Sequence, residues 1–370
     1  MPNIPFLIPS VIYLLINVVF VDKYMIRLTE WHYVLDLIYI IAGVILLLGI
    51  KWLSQKEYNY RIFLITIGVL YFATMIGIQY SIDPMSLQVD RWSAIHNFLY
   101  NLFHSIYPYS AQTHLGGYGS PFPVWQIVHI PFYLIGNVGL SFFAFLAIFL
   151  YITARYDSPK IAFMCLLLIA LSPAITYEIA VRSDLFTNFL CICTLCQWLR
   201  QQSIKLEYNV SLIAIIAGLC ASTRLATLIP IGLLYGYSFL HIGIRKQCYF
   251  TITFLAIFIL TFLPFLLWDF NQLLFFEYNP FILQTRQGSP LILFIFAILA
   301  IGLTVIKKDH LQYFYMYAGS LLTILVFITF GGNMITSGNY NLYSSSYDIT
   351  YLNMALPFYI YSIASFTTNP

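Results

Sequence analysis

Apolar runs long enough to cross a membrane recur along the whole chain, separated by polar connections. A helix needs about 20 mostly apolar residues to cross a hydrocarbon layer of about 30 Å. The runs lack the alternating polar and apolar positions of barrel strands, so they predict helices. Twelve spans are predicted, near residues 5–21, 33–50, 62–80, 138–154, 160–176, 184–200, 208–222, 226–241, 249–267, 290–306, 311–330 and 350–366. The predicted fold is all-α, a single polytopic membrane domain over residues 1–370.

The composition agrees with lipid as the solvent of this chain. Hydrophobic residues make up 61% of the 370 residues and charged residues only 8%. A soluble protein of this size has too small a core to bury so much apolar surface. The net charge of +3, with no basic cluster in the sequence, argues against a nucleic-acid partner. The first apolar run has no basic residue before it and no small-residue cleavage site after it, so it predicts a retained span.

Basic residues in short loops predict which side of the membrane each connection faces. With the N-terminus inside and twelve alternating spans, the inner loops hold eleven of the seventeen basic residues. The long polar loops 81–137, 268–289 and 331–349 then face outside, and long ordered loops tend to be functional. One apolar stretch, 122–136, is short and holds two prolines. It is predicted to be re-entrant or interfacial, because a full crossing would reverse every later loop.

A polar island, "SLQVDRWSAIHNFLYNLFHSIYPYS", lies in the first outer loop. On a helix, 90–107 separates into an aromatic face and a polar face that carries Asp90 and His104. Arg91 falls at the edge of the apolar face. Such a helix is predicted to lie along the membrane surface, with its aromatic face among the headgroups and Asp90 at its start. The alternative that Asp90 only caps this helix stays open.

Three later outer segments also carry charges. "EIAVRSDLF" holds Arg182 and Asp184, and "CASTRLATLIP" holds Arg224 in a tight apolar hairpin. A charge in such a hairpin needs a carboxylate or phosphate partner, and an ion pair between Arg224 and Asp184 is one alternative. The long late loop, "PFLLWDFNQLLFFEYNPFILQTRQGSP", supplies Asp269 and Arg286.

In this order, these segments resemble the GT-C class of integral-membrane glycosyltransferases, which includes protein O-mannosyltransferases, lipid A aminoarabinose transferases and GPI mannosyltransferases. The resemblance covers residues 60–290, with 291–370 as C-terminal spans. It depends on Asp90 followed by "SIYPY" and "GYGSPFP", then "ALSPAITYEIAVRSDLF", "GLCASTRLATLIP" and "PFLLWDFNQLLFFEYNPFILQ". The sequence departs from the class pattern in having "PFP" for the usual "PP" and two additional spans before the module. Asp83 is a second carboxylate in the same loop.

The resemblance implies an inverting transfer of a sugar from a polyprenyl-phosphate carrier to a glycan, lipid or protein acceptor at the outer membrane face. The implied location is the inner membrane of a bacterium, with a periplasmic active site. Phosphate is a stable leaving anion, so one carboxylate that deprotonates the acceptor suffices, and Asp90 is the candidate base. The other candidate substrate-binding residues are Arg91, His104, Tyr109, Arg182, Asp184, Arg224, Asp269 and Arg286.

Two other functions remain open. An O-antigen-type polymerase also uses lipid-linked sugars, but typically depends on paired arginines in outer loops. A transporter or lipid flippase would require internal repeats and ionisable groups at mid-membrane. Asp36 is the one acidic residue clearly inside a predicted span. No cofactor is firmly indicated, although His96, His104, His114 and His129 share the loop of Asp90 and leave a divalent metal open. The six cysteines are predicted to be core residues rather than metal ligands.

Overall fold

The computed structural model describes residues 4–285, 288, 290–305, 313–343 and 348–368. All regular elements in these ranges are helices, joined by short 3₁₀ turns, which confirms the all-α prediction. The helices are α1 (Ile4–Met25), α2 (His32–Ser54), α3 (Tyr60–Ser81), α4 (Arg91–Phe103), α5 (Pro123–Val128), α6 (Ile130–Leu134), α7 (Ser141–Tyr156), α8 (Pro159–Ala170), α9 (Pro173–Ala180), α10 (Leu185–Gln201), α11 (Val210–Ala221), α12 (Leu228–His241), α13 (Ile244–Trp268), α14 (Phe270–Leu274), α15 (Pro280–Thr285), α16 (Pro290–Val305), α17 (Phe314–Ser337) and α18 (Leu356–Thr368).

Several of these helices are compatible with a multi-pass membrane protein. Within the described residues, six helices are long and apolar enough to cross a bilayer, or seven if one bent pair counts as a span. The six are Pro5–Met25, His32–Ser54, Tyr60–Ser81, Val138–Tyr156, Ile244–Trp268 and Phe314–Ser337. Other predicted spans coincide with shorter helices, such as Val210–Ala221 and Leu356–Thr368. The predicted number of about twelve spans therefore remains a prediction.

The bent pair replaces a span that the sequence predicts as one straight helix over 160–176. α8 ends at Ala170, and α9 begins at Pro173 after a bend of 71°. Proline lacks an amide hydrogen and cannot continue a helix, but it is well suited to the first turn of a new one. Ser172 caps this new helix by accepting a hydrogen bond from the Ile175 amide at 3.3 Å. The bend brings Arg182 and Asp184 to the end of the bundle that also holds the 82–140 connection.

The short apolar stretch 122–136 forms two helices, α5 and α6, of six and five residues. At 1.5 Å per residue, each is roughly 9 Å long or less, far short of a bilayer. The stretch is held at one end of the bundle by two backbone hydrogen bonds: Phe122 donates to Thr223 at 3.2 Å, and Val124 donates to Ser222 at 3.0 Å. These bonds place it beside the hairpin that carries Arg224. The segment thus does not cross the bundle.

The amphipathic helix α4 differs from its prediction in what covers its apolar face. Trp92, Ile95, Phe98 and Leu99 are buried, and they form a small core with side chains of α5 and α13. The prediction that this face lies among lipid headgroups is therefore wrong for these four residues. The far end of α13 covers them, a long-range contact that helical periodicity does not reveal. Phe103, at the end of α4, remains half exposed.

The rest of the bundle has one continuous core, which includes the two additional N-terminal helices. α1 packs against α2 and α18, α3 against α8, and α7 against α10. Two side-chain hydrogen bonds join α1 to the region of the break between α8 and α9. The Tyr13 hydroxyl donates to the Leu168 carbonyl at 2.7 Å, and the Ser172 hydroxyl donates to Asn17 Oδ1 at 2.5 Å. The first two helices are thus integral to the fold.

Candidate functional site

Asp90 lies at the N-cap position of α4, but its carboxylate does not cap the helix. No hydrogen bond from the helix amides to this side chain is present in the described structure. Instead, the Thr113 hydroxyl donates to Asp90 Oδ2 at 2.9 Å. The Gly117 amide in turn donates to the Thr113 hydroxyl oxygen at 2.9 Å, which fixes the direction of that hydroxyl. The interpretation of Asp90 as only a helix cap is therefore wrong, and the carboxylate faces a pocket.

Asp184 and Arg224 form a buried ion pair on the other side of this pocket. Arg224 Nη2 lies 2.7 Å from Asp184 Oδ2, and the same oxygen accepts the Trp125 indole N–H at 2.7 Å. Burial alone raises the pKa of the Asp184 carboxyl, but Arg224 and Arg91 lower this pKa by more, so it lies below its usual value. The ion pair that the sequence left open as one alternative is thus present, and Asp184 is ionised at neutral pH.

Each partner of this pair keeps one polar atom without a hydrogen bond. Asp184 Oδ1 and Arg224 Nε are both buried, and neither has a partner in the part of the chain that the structure describes. Arg224 Nη1 makes only a long contact, 3.5 Å, to the Ser120 hydroxyl. Buried polar groups are normally satisfied, and a guanidinium presents a planar fork that suits phosphate. Arg224 therefore has donors left for a further anionic ligand.

A second ion pair joins Arg91 to Asp348, a residue that the sequence analysis did not single out. Arg91 Nη2 lies 2.5 Å from Asp348 Oδ2 and 2.6 Å from the Thr350 hydroxyl, and Nη1 lies 3.2 Å from the Ser183 hydroxyl. Burial raises the pKa of the Asp348 carboxyl, but Arg91 and the Thr350 hydrogen bond lower it by more. Arg91 thereby joins the start of α4 to two distant connections.

These two ion pairs and Asp90 line one small polar pocket of about 180 Å³. Its lining residues are Asp90, Arg91, Ala94, Tyr118, Ser120, Pro121, Asp184, Arg224, Leu283, Asp348 and Tyr351. They come from six separate parts of the chain, and the pocket lies at one end of the helix bundle. Asp90 and Asp184 therefore share one end, as the interpretation of 122–136 as a non-crossing segment requires.

A larger apolar cleft adjoins the polar pocket. It has a volume of about 390 Å³ and lies between α12, α16 and α17. Its apolar lining includes Ile229, Phe296 and Val326. Arg224 and Tyr351 line both spaces, so the two meet at a cation and an aromatic ring. The polar pocket, the cation at the junction and the apolar cleft together fit a ligand with an anionic head and a long apolar tail.

Four of the predicted substrate-binding residues lie outside the polar pocket. His104 is exposed and bonds the Tyr100 carbonyl at 2.7 Å. Tyr109 is a core residue packed against Phe98. Arg182 has a left-handed backbone, with φ of 54°, and its side chain turns to the end of α3, where Nη2 donates to the Gln79 carbonyl at 2.5 Å. Asp269 caps α14 by accepting from the Gln272 amide at 2.9 Å.

Two further candidates from the sequence are Arg286 and Asp83. Arg286 lies outside the described residues. Asp83 is exposed, caps the short turn Pro84–Ser86 and does not line the polar pocket. The structure thus brings together Asp90, Arg91, Asp184 and Arg224 from the predicted set.

The four histidines of the first loop do not converge on a metal site. His114 contacts the Ser93 hydroxyl at 2.7 Å and the Leu87 carbonyl at 2.8 Å. His129 is buried, contacts the Trp125 carbonyl at 2.7 Å and the Ser141 hydroxyl at 3.0 Å, and has a pKa lowered by its burial. His96 lies between aromatic rings, and burial lowers its pKa as well. Within the described residues, these side chains have structural partners instead.

No family model, curated protein or solved structure matches this chain. The resemblance to GT-C transferases therefore stays a prediction from the motifs.

Sequence reasoning missed Asp348, Tyr351 and Tyr118. A local signal for Asp348 exists, because "DIT" at 348–350 is a capping pattern. The Asp348 carboxylate accepts from the Thr350 amide at 3.0 Å. The pattern indicates a helix start but not that its carboxylate pairs with Arg91, 257 residues earlier.

Thr113 is expected to control the orientation of the Asp90 carboxylate. Thr113→Val keeps the side-chain volume but removes the hydroxyl that donates to Asp90, and one hydrogen bond to a charged group contributes about 1.5–3 kcal/mol. For a reaction in which Asp90 is the base, we expect turnover to fall about tenfold or more, whereas Thr113→Ser, which keeps the hydroxyl, stays near wild type. Steady-state rates of the two purified variants measure this, and equal rates would show that the hydrogen bond does not matter.

Proposed function

We propose that this protein is a membrane glycosyltransferase that moves a sugar from a polyprenyl-phosphate donor to an acceptor. The observation that carries the proposal is the meeting of the polar pocket and the apolar cleft at Arg224 and Tyr351. In this arrangement the polyprenyl chain lies in the cleft, the phosphate reaches Arg224, and the sugar enters the pocket beside Asp90. The motif order in 60–290 supports the same assignment.

The proposed reaction needs one base and one anion-binding group. Asp90 takes the proton of the acceptor hydroxyl as the acceptor oxygen attacks the anomeric carbon. The bond between this carbon and the phosphate oxygen breaks, and polyprenyl phosphate leaves with the electron pair. Arg224 balances the charge that develops on the phosphate. Attack opposite to the leaving group inverts the anomeric configuration, and the proton ends on Asp90.

The alternatives receive less support from the pocket. Two arginines do lie in one pocket, as an O-antigen-type polymerase would require. Each of them, however, is paired with its own carboxylate. Asp90 has no Lys or Arg partner among the described residues, which suits a base. A transporter requires ionisable groups at mid-membrane. Asp36 is only the fifth residue of α2, and it lies beside Asp22, which accepts a hydrogen bond from Tyr343 in the connection that also supplies Asp348 to the polar pocket.

The experiment that tests the proposed function compares cells with and without the gene. Lipid extracts and cell-envelope glycans are analysed by mass spectrometry. Without the gene, one polyprenyl-phosphate sugar should accumulate and one glycan linkage should disappear. Wild-type protein should restore the linkage, and Asp90→Asn should not. Unchanged lipid-linked sugars and unchanged glycans would contradict the proposal.

The pocket is proposed to face the outer side of the membrane, and this can be tested by thiol labelling. In a chain whose six cysteines are replaced, single cysteines at Ser86, Asn271 and Asn341 lie at exposed positions of three connections at the pocket end. All three should react with a membrane-impermeant maleimide in intact cells. Cysteines at Lys56 and Lys205, exposed at the opposite end, should react only after lysis. The reverse pattern would assign the pocket to the cytoplasmic side.

A further inference from the structure

The hairpin of α1 and α2 carries three metal-ligating side chains apart from the polar pocket. Asp22 lies near the end of α1, His32 begins α2, and Asp36 follows one turn later on the same face. One donor atom from each of the three lies within 4.8 Å of the others. His32 Nδ1 is 2.6 Å from Asp22 Oδ1. Two carboxylates and one imidazole, drawn from two helices, thus converge on one point.

Neither carboxylate of this group has a permanent cation. In the described part of the chain, Asp22 pairs only with His32, and no ion pair involves Asp36. Asp36 Oδ1 is an orphaned atom, buried and without a hydrogen-bond partner. Two adjacent carboxylates, one in the last turn of α1 and one near the start of α2, repel each other unless a proton or a cation lies between them. The orphaned oxygen beside a second carboxylate shows that a proton or a cation is needed in this space.

One carboxylate of this group also accepts a hydrogen bond from a residue outside the group, as carboxylates that bind metals usually do. The Tyr343 hydroxyl donates a hydrogen bond to Asp22 Oδ2, the oxygen that does not contact His32. Hydrogen bonds of this kind orient ligating carboxylates and strengthen metal binding. Tyr343 belongs to the connection between α17 and α18 and lies five residues before Asp348. The group therefore joins the N-terminal hairpin to the connection that supplies a carboxylate to the polar pocket.

We propose that Asp22, His32 and Asp36 bind one divalent transition-metal ion, for which Zn²⁺ is the probe. Zinc accepts nitrogen and oxygen ligands at about 2.0–2.2 Å, so donors on one ion lie roughly 3–3.5 Å apart. The ion enters between His32 Nδ1 and Asp22 Oδ1, and the proton they share leaves to solvent. Mg²⁺ prefers an all-oxygen set and is a poorer match. The proposal for this site does not depend on the proposed transfer.

Metal binding to chelator-stripped protein tests this site. The protein is purified in detergent through a tag without histidine, titrated with Zn²⁺, and assayed by elemental analysis after removal of free metal and by thermal unfolding. Wild type should retain about one ion per chain, and its Tm should rise with Zn²⁺ but not with Mg²⁺. Asp36→Asn should weaken Zn²⁺ binding at least about tenfold and abolish the Tm rise.

A control variant outside the group and a second variant of a proposed ligand accompany Asp36→Asn. Glu30→Gln removes an exposed carboxylate from the same hairpin and should bind Zn²⁺ as wild type does. His32→Gln removes the imidazole and should behave like Asp36→Asn, which covers the case in which Asp36→Asn does not fold. Wild type that retains no stoichiometric Zn²⁺, or Asp36→Asn and His32→Gln variants that bind it as tightly as wild type, would overturn the proposal. A proton shared between the two carboxylates would then neutralise the group.

Discussion

Replacing Asp90 by asparagine is expected to lower the rate of sugar transfer by about 10²–10⁴-fold, the usual contribution of a general base. Asparagine keeps the size of the side chain and can still accept the Thr113 hydrogen bond, but it cannot take a proton at neutral pH. Folding and donor binding should therefore survive. Single-turnover rates with purified protein and its lipid donor measure the chemical step directly.

Asp83 provides the matched control for this prediction. It lies in the same connection, is exposed, and is outside the polar pocket. Asp83→Asn should cost only the cap of a three-residue turn and leave the transfer rate near wild type. If Asp83→Asn abolishes transfer and Asp90→Asn does not, the base has been assigned to the wrong carboxylate.

Replacing Arg224 by lysine is expected to raise the KM for the donor by about tenfold or more, with a smaller effect on the folded fraction. Lysine keeps the charge, but it lacks the planar fork of Arg224 and its unpartnered Nε, and Arg224 lines both cavities. A hydrogen bond to a charged group contributes about 1.5–3 kcal/mol, which corresponds to at least a tenfold change in affinity. Donor titrations under initial-rate conditions measure the KM.

Two further variants separate binding from folding. Arg182→Lys changes a nearby arginine that bonds the Gln79 carbonyl and does not line either cavity, so the donor KM should stay unchanged. Arg224→Ala leaves Asp184 buried without its cation and should destabilise the fold by about 3–5 kcal/mol. A normal donor KM in Arg224→Lys, together with unfolding of Arg224→Ala, would mean that the ion pair is purely structural.

The sequence predicts the local parts of this site well, because charges in an apolar chain are conspicuous. Asp90 and Arg224 stand out for this reason, and both line the polar pocket. The pairing of Arg224 with Asp184 was one of two alternatives, since a lone arginine in an apolar hairpin requires an anion. The non-crossing character of 122–136 also follows from its length and its two prolines.

Long-range packing and backbone direction are the parts that the sequence could not supply. The apolar face of α4 is compatible with lipid or with protein, and only the position of α13 decides between them. Arg182 is two residues from Asp184, but its left-handed backbone turns its side chain away from the polar pocket. Tyr109 belongs to a motif that suggested binding, yet it fills the small core beneath α4.

The sequence also could not show that two cavities meet. The polar pocket draws on residues from 90 to 351, and the apolar cleft on residues from 185 to 354. Their shared wall, Arg224 and Tyr351, consists of residues 127 positions apart in the chain. No local pattern relates these two positions, and this junction is the observation on which the proposed substrate depends.

The most direct test of the proposed function is mass spectrometry of the lipids that co-purify with the Asp90→Asn protein. A variant that binds the donor but cannot activate the acceptor should retain a polyprenyl-phosphate-linked sugar at a higher level than wild type. Arg224→Lys in the same background should lose most of it, and the Arg182→Lys control should keep it. Absence of any polyprenyl-phosphate species from all of these preparations, with other membrane lipids present, would contradict the account.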